Sequence, residues 1–500
     1  MVYKTQPKMS MNFLDRMISY VNPQAGAKRM RARLIEDTLS RSYDAATFGR
    51  RGTGFRGTSS SVNAEIASSG SVLRNRSRDM ARNNPYSKRA MKAIASNVVG
   101  TGVMPSIMSP SEPAKKKAKK LWKDWAESKK CDFAGKLNFY GMQRLVMRSV
   151  AESGEVFIRQ RRTDSMAGIP LQLQVLEADF LDTSKDGIRT SNGGFIMQGV
   201  EFGADGKIKG YWMFEEHPGE HLAFKSIVSS FVPAEQVIHV FYLERPGQVR
   251  GIPFGVSSML RLKDFGDYED AKLMQQKIAA CFAAFVTDSN DPHPGIGVDE
   301  GIPLERVEPG MIEYLPPGKE VTFGNPPTTE GHDEYAKRML QGVAAGYDVT
   351  YEILTQDLSN VNFSSARMGW IEFGKLVKEW QNELIVSQMC HDVWSWFMIA
   401  AQITGILPKD ITVTWTVPGR EMIDPVKEMK GASEKVRNGF DSWQNMTRTM
   451  GRDPEEVLNE MNEDQATFSK NGFMLATDPR FDPSRKNFTG EEQVVVPAKQ

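Results

Sequence analysis

Residues 256–286 read VSSMLRLKDFGDYEDAKLMQQKIAACFAAFV, a segment without proline, flanked by the turn formers Gly-Ile-Pro-Phe-Gly before it and Thr-Asp-Ser-Asn-Asp-Pro after it. As a single helix it would form a rod about 45 Å long. Its first half is charged and its second half rich in alanine. Ala279, Ala280, Ala283 and Ala284 recur at neighbouring helical spacings, a pattern that lets another helix approach closely. A second helical stretch, Glu334–Gly346 (EYAKRMLQGVAAG), ends in a similar pair, Ala344 and Ala345. Between the two lie turn formers. The pattern predicts two helices joined by a small β excursion, with MIEYL (311–315) and EVTF (320–323) as a hairpin across Pro316-Pro317-Gly318.

On the N-terminal side of this unit the apolar period is that of strands. Val156-Phe157-Ile158, Leu171–Leu176, Gly199–Phe202, Tyr211–Phe214 and Val237–Tyr242 are short β-rich runs separated by Asp-Gly, Asn-Gly and Pro-Gly turn signals. Further upstream the period is helical: two pieces within Asn75–Val99 divided at Asn84-Pro85, a basic amphipathic helix over Pro113–Lys130 with Trp122 and Trp125, and another over Asn138–Ser153. On the C-terminal side, Thr350–Ser365 is polar and shows no element. A long or broken helix follows from Ala366 to Gly405, then a strand at Ile411–Val417, then shorter helices opened by the cap pairs Asp424-Pro425 and Asp453-Pro454.

The net charge of +1 conceals an asymmetry. Between Ser71 and Lys130 there are fifteen Lys and Arg against four Asp and Glu, and residues 1–70 add eleven against five, so the rest of the chain is acidic. A basic first quarter on an acidic body suits an anionic partner on one face, although Lys115–Lys130 also reads as an ordinary solvated helix face. Cys131, Cys281 and Cys390 are far apart and form neither a disulfide framework nor a zinc knuckle. No signal peptide is read at the N-terminus, and the longest apolar stretch, Trp394–Leu407, has the length of a core helix and not of a membrane span.

Motifs for chemistry are weak. Gly52-Thr-Gly-Phe-Arg-Gly57 fits G-x-G-x-x-G but has Arg-Arg before it and serines after it, where a dinucleotide site needs a strand and a helix. No Gly-Lys pair is followed by Ser or Thr, which leaves no Walker A loop. His217-Pro-Gly-Glu-His221 matches H-x-x-E-H, but Pro218-Gly219 breaks the helix that a zinc site would need. Two acidic sets, Glu177/Asp179/Asp182 and Asp264/Asp267/Asp270, could hold Mg²⁺ in a nuclease; the second sits beside Lys263 and Lys272 and reads better as helix-surface pairing. Neither cofactor nor metal is called for, and the lack of a coherent motif favours a structural protein over an enzyme.

Several stretches, in order, are similar to the bacteriophage portal proteins of the lambda family: RSRDMARNNPYSKRAMKAIASNVVGTG (74–102), Trp122-x-x-Trp125 with Cys131-Asp132, SGEVFIR (153–159), LQVLEADFLD (173–182), GVEFGADGKIKGYWMFEEHPG (199–219), RPGQVRGIP (245–253) and YEILTQDLSNVNFSSAR (351–367). The resemblance implies an α+β portal fold, with a strand-rich wing, paired stem helices, a small β clip and a helical C-terminal crown. On that pattern the chain divides into a flexible basic arm (1–60), wing (61–255), first stem helix (256–286), clip (287–331), second stem helix (332–349), tunnel loop (350–365), wing again (366–440), crown (441–476) and a disordered tail (477–500).

The resemblance further implies a homo-oligomeric ring, usually of twelve copies, at one capsid vertex of a virion assembled in the host cytoplasm. Double-stranded DNA would pass through it. The large terminase subunit, head-completion or tail adaptor proteins, and major capsid and scaffold proteins would be its partners, with no membrane involved. The expected stem-packing residues are Ala279, Ala280, Ala283, Ala284, Ala344 and Ala345. Clip docking falls to Glu313, Tyr314, Lys319 and Glu320, and the channel to Asp357, Leu358, Asn360, Asn362, Lys337 and Arg338. A sliding channel should hold phosphates weakly, which suits a polar, acidic lining. The alternatives are a Mg²⁺-dependent nuclease and a DNA-binding shell protein without a channel.

Overall fold

Asn84-Pro85 divides the first two helices as its chemistry requires. In the computed structural model, which describes residues 59–471 except 164–167, 221–227, 281–283, 287–311, 315–330, 360 and 409, plus scattered positions between 17 and 31, α1 spans Val62–Asn83 and α2 Pro85–Val99. The Asn84 side chain accepts from the amides of Tyr86 and Ser87, and Pro85 fills the first turn, where its missing N–H costs nothing. Strand β1 (Met104–Met108), α3 (Glu112–Ala126) and α4 (Phe139–Ser153) follow. α4 is capped by Asn138 and closed by Gly154 in the left-handed region at φ 88°. The chain forms two compact units, Met1–Ser61 and Val62–Gln500; all that follows concerns the second.

The strand-rich block forms two antiparallel sheets. β2 (Glu155–Arg162) lies between β3 (Leu171–Glu177) and β8 (Val237–Phe241), while β4 (Phe195–Met197), β5 (Val200–Phe202), β6 (Ile208–Met213) and β7 (Ser230–Pro233) make a meander. β2 explains why Val-Phe-Ile is apolar without a break: Phe157 faces the smaller core with Val200, Tyr211 and Met213, and Val156 and Ile158 face the larger one.

The expected first stem helix is shorter than its sequence. α5 runs Met259–Ala280, and Ala284–Val286 form a strand, β9, in parallel register with β10 (Ile312–Tyr314). Ala284-Phe285-Val286 ends in aromatic and β-branched residues, which suit an extended pair. The Ala284 position therefore lies in β9 and not on the helix. The hairpin expected between 311–315 and 320–323 is replaced, for 312–314, by this parallel pairing, and 320–323 lies outside the described residues. The arm and the tail fall almost wholly outside them too.

α6 spans His332–Gly346. The stretch 350–365, expected to hold no element, contains α7 (Tyr351–Thr355) and the first residues of α8 (Phe363–Trp380). Helical backbone continues from α8 through a π-helical segment, Gln381–Cys390, into α9 (His391–Ile403). Gln388 in that segment accepts from the Phe241 amide and donates to the Phe241 carbonyl, each at 3.0 Å, tying the edge of β8 to the helix. β11 (Thr412–Thr416) pairs antiparallel with β1, and α10 (Pro425–Arg437), α11 (Trp443–Thr449) and α12 (Pro454–Asn471) end the described chain. Asp424 caps α10 and Asp453 accepts from the Glu455 amide, as their Asp-Pro pairs predict.

The main core lies where α2, α4 and α9 meet. Trp122 is within 5.0–5.8 Å of the rings of Trp125, Phe139, Trp394, Phe397 and Trp415. The fold is therefore α+β, with small antiparallel sheets set among long helices. Among the described residues no helix is long and apolar enough to cross a membrane.

Candidate functional site

The direction of α5 is set by a buried charge cluster at its approach. Glu155, the first residue of β2 and 1 % exposed, accepts from Arg250 Nε at 2.9 and 2.8 Å, from the Gly251 amide at 3.0 Å and from Arg74 Nη1 at 3.1 Å. His239 Nε2 lies 3.0 Å away on its other side. The two backbones touch as well. A Cβ on Gly251 would sit 2.1 Å from the Gly154 carbonyl oxygen, and one on Gly154 2.5 Å from the Ile252 carbonyl carbon. Gly154-Glu155 and Arg250-Gly251 are thus two halves of one clamp, which holds the chain just before α5 against α1 and β2.

Burial disfavours charge on both titratable partners of the clamp. At Glu155 the Arg250 charge and the hydrogen bonds from His239 and Arg250 more than offset it, and the carboxyl is held well below the usual carboxylate range. At His239 burial outweighs the neighbouring carboxylate, so its pKa falls below the ordinary 6.5 and the neutral ring donates from Nε2. Both groups bind fewer protons folded than unfolded. Their stabilisation is lost as pH falls, that of His239 below 6.5 and that of Glu155 only below 4.5. The thermal midpoint should therefore drop between pH 7 and pH 5, and His239→Gln should flatten that part of the profile. An unchanged slope in the variant would contradict this assignment.

Beyond the clamp, α5 and α6 run antiparallel. Tyr268 lies 4.7 Å from the Tyr335 ring and 5.6 Å from the His332 ring, with its hydroxyl 3.1 Å from His332 Nδ1. At the other end of the pair, Ser258 donates to the Val343 carbonyl at 3.1 Å, and a Cβ on Gly346 would fall 1.8 Å from Ser258 Oγ. The buried Tyr347 ring, hydrogen-bonded to Ser87 at 2.8 Å, leaves no room for a side chain at Gly255. The small residues at the end of α6 thus meet the start of α5, not its alanine-rich end. Ala344 is buried, Ala345 is exposed, and Ala279 and Ala280 occupy the last turn of α5. Ala283, Lys319 and Glu320 lie outside the described residues; Glu313 and Tyr314 stand in β10. Leu260, Leu273 and Met274 of α5 are exposed, an apolar surface that α6 does not cover.

The loop after α6 brings three of the expected residues together. Thr350 caps α7, and Gln356 turns the chain at φ 62°. Asp357 accepts from the Ser359 amide and hydroxyl and, at 3.3 Å, from the Tyr351 hydroxyl, while Lys337 Nζ lies 5.8 Å from the Tyr351 ring centre. These Ser359 hydrogen bonds, with Lys337 nearby, hold the Asp357 carboxyl below its ordinary value. Leu358 beside it is 68 % exposed. Two of the expected residues stand apart from this group. Arg338 donates to Gln341 on the helix surface, away from this group, and Asn362 is the cap of α8, accepting from the Ser365 amide at 2.8 Å. A residue committed to capping a helix has less to offer a passing ligand. Asn360 lies outside the described residues.

The acidic sets can be judged by what faces them. Glu177, Asp179 and His217 converge, with one ligand atom from each within 4.8 Å of the others. Arg78 Nη2, however, lies 2.8 Å from Glu177 and 2.6 Å from Asp179, and Arg74 Nε lies 3.6 Å from Asp179. Two guanidinium groups already supply the positive charge that a metal would bring. Asp182 turns elsewhere, accepting from the Ser184 amide and the Ser229 hydroxyl. On α5, Asp267 and Lys263 form an exposed surface pair at 3.9 Å. The Glu155–Arg250 clamp escaped the sequence reading although SGEVFIR and RPGQVRGIP were both singled out. A Glu and an Arg in separate apolar contexts were the only available signal.

The family described as "Phage portal protein, lambda family" matches residues 48–381. A probable portal protein of Halomonas phage phiHAP-1 is 26 % identical over 464 residues, covering 87 % of this chain and 88 % of that protein. Portal protein B of Escherichia phage lambda is 21 % identical over 471 residues, covering 81 % and 87 %. Among solved structures, a chain from the neck of a native GTA particle, computed with C12 symmetry, is similar with a TM-score of 0.41 and 14 % identity, covering 76 % of this chain and 94 % of that one.

Proposed function

The chain belongs to the lambda family of phage portal proteins, and from that premise we propose that it closes into a ring, of twelve copies on the family's pattern, at one vertex of a capsid. DNA enters through this ring during packaging, is retained by it and leaves through it. The observation that carries the proposal is the family match over residues 48–381, which includes the α5–α6 pair and the loop behind it.

The structure supports the reading physically. A helix whose Leu260, Leu273 and Met274 stay exposed beside its own partner helix suits side-by-side packing with further copies. The loop carrying Asp357 and Leu358 supplies the constriction, with Lys337 held back against Tyr351, so that phosphates meet acidic and apolar groups and slide. Residues 287–331 form the part that the terminase motor and later the head-completion or tail adaptor proteins contact, while the basic first quarter serves assembly with capsid and scaffold proteins or outer DNA contacts. The role is a passive conduit without catalysis, within the virion, assembled in the host cytoplasm. Electron microscopy of the purified protein tests this: rings with a central hole are expected, and only monomers or compact dimers under all assembly conditions would overturn it.

A further inference from the structure

The C-terminal helices have almost no core of their own. Of all the residues in α10, α11 and α12, only Pro454 is buried. Helices of 13, 7 and 18 residues do not persist in water on propensity alone; packing has to hold them. α12 is anchored at its first turn, where Glu455 pairs with Lys115 and Lys119. From Leu458 on nearly every residue is exposed.

Two surfaces in this region are complementary. Between α8, residues 417–423, α10 and α11 lies a groove of about 760 Å³. Trp370, Ile371, Met422, Ile423, Met446 and Met450 provide its apolar lining, and Arg367, Lys378, Lys435 and Arg448 contribute positive charge. None of these four cations has an ion-pair partner among the described residues. On α12, Leu458, Met461 and Phe468 fall on one stripe at helical spacing, with Asp464 and then Glu460 beside it and Glu456 and Glu463 on the opposite face. Glu460 pairs with Arg452, whereas Asp464 pairs with no described cation. An apolar trough with basic groups suits an acidic amphipathic helix. Phosphates of a DNA duplex would use the cations and leave the trough unfilled.

We propose that α12 of one copy docks into the α8–α10–α11 groove of the next copy, with Leu458, Met461 and Phe468 entering the trough and Asp464 at its edge meeting Lys378 and Lys435. This contact rests on the ring reading above and gives it a head-to-tail interface at the C-terminal end, whose α10, α11 and α12 lie beyond the residues 48–381 matched by the family. Such a heterologous contact repeats around a closed ring.

Charge reversal tests it. Asp464→Lys, and separately Lys378→Glu/Lys435→Glu, should each lower the ring fraction measured by sedimentation about tenfold, while circular dichroism confirms a folded chain. Combining all three changes should restore rings. A Met461→Cys chain mixed with an Ile423→Cys chain should also give a disulfide-linked pair that neither chain gives alone. Wild-type rings with undiminished assembly in both variants and no cross-link would overturn this inference and leave the ring reading standing; failure of the wild-type chain to form rings would remove both. Duplex DNA binding that Lys378→Glu/Lys435→Glu abolishes, with no rescue of assembly in the threefold variant, would assign the groove to nucleic acid and overturn it as well.

Discussion

Glu155→Ala is expected to lower the stability of the folded chain by about 3–5 kcal/mol, because it strands two guanidinium groups in the interior. The Arg250 side chain is 3 % exposed and that of Arg74 10 %, so solvent does little to screen the charge left behind. Loss of the carboxylate also removes the acceptor for the Gly251 amide and for His239. Glu155→Gln keeps an acceptor but not the charge, and should fall between wild type and alanine. Urea unfolding of the three proteins gives the comparison. A change below about 1 kcal/mol for alanine would mean that the cluster adds little, as surface pairs usually do. Since Arg250 lies a few residues before α5, the same variant should disturb the setting of that helix, and ring yield should fall further than stability alone predicts.

Leu273→Asp/Met274→Asp is expected to act the other way round, abolishing rings from a chain that still folds. Both side chains are more than half exposed, at 51 % and 58 %, and they contribute little to the monomer core. In a ring this face of α5 would be covered by the next copy, and burying an unpaired carboxylate there costs several kcal/mol at every interface. Circular dichroism and thermal unfolding should match wild type while sedimentation shows only small species. Rings at wild-type yield would place this face away from the subunit contact. Ala280→Leu offers a milder version of the same test, since overpacking at a repeated interface costs about 1–3 kcal/mol per copy.

How far the residues themselves reveal this architecture depends on the range over which each signal acts. The division of α1 from α2 at Asn84-Pro85, the caps at Asp424 and Asp453, the strand runs between residues 155 and 241 and the long helix after residue 366 all follow from neighbours within a few positions. The end of α5 does not. Alanines at 279–284 favour a helix locally, yet Ala284–Val286 extend because Ile312–Tyr314 pair with them. In the candidate site, no local signal joins Lys337 of α6 to Asp357; both lie against Tyr351 only in the fold, and the Asn362 cap is seen in its hydrogen bond from the Ser365 amide.

By itself the sequence determined the alternation of helical and β segments, the placing of the two helices around a turn-rich excursion, and the family, because periodicity, cap residues and ordered motifs act locally or add along the chain. Only the tertiary structure decided that Glu155 and Arg250, 95 positions apart, share one buried clamp, that Arg74 and Arg78 fill the acidic cluster around Asp179, and that the end of α6 meets the start of α5. Each of these depends on which surfaces the fold brings face to face, and a buried charge is tolerated only where a distant partner arrives to meet it.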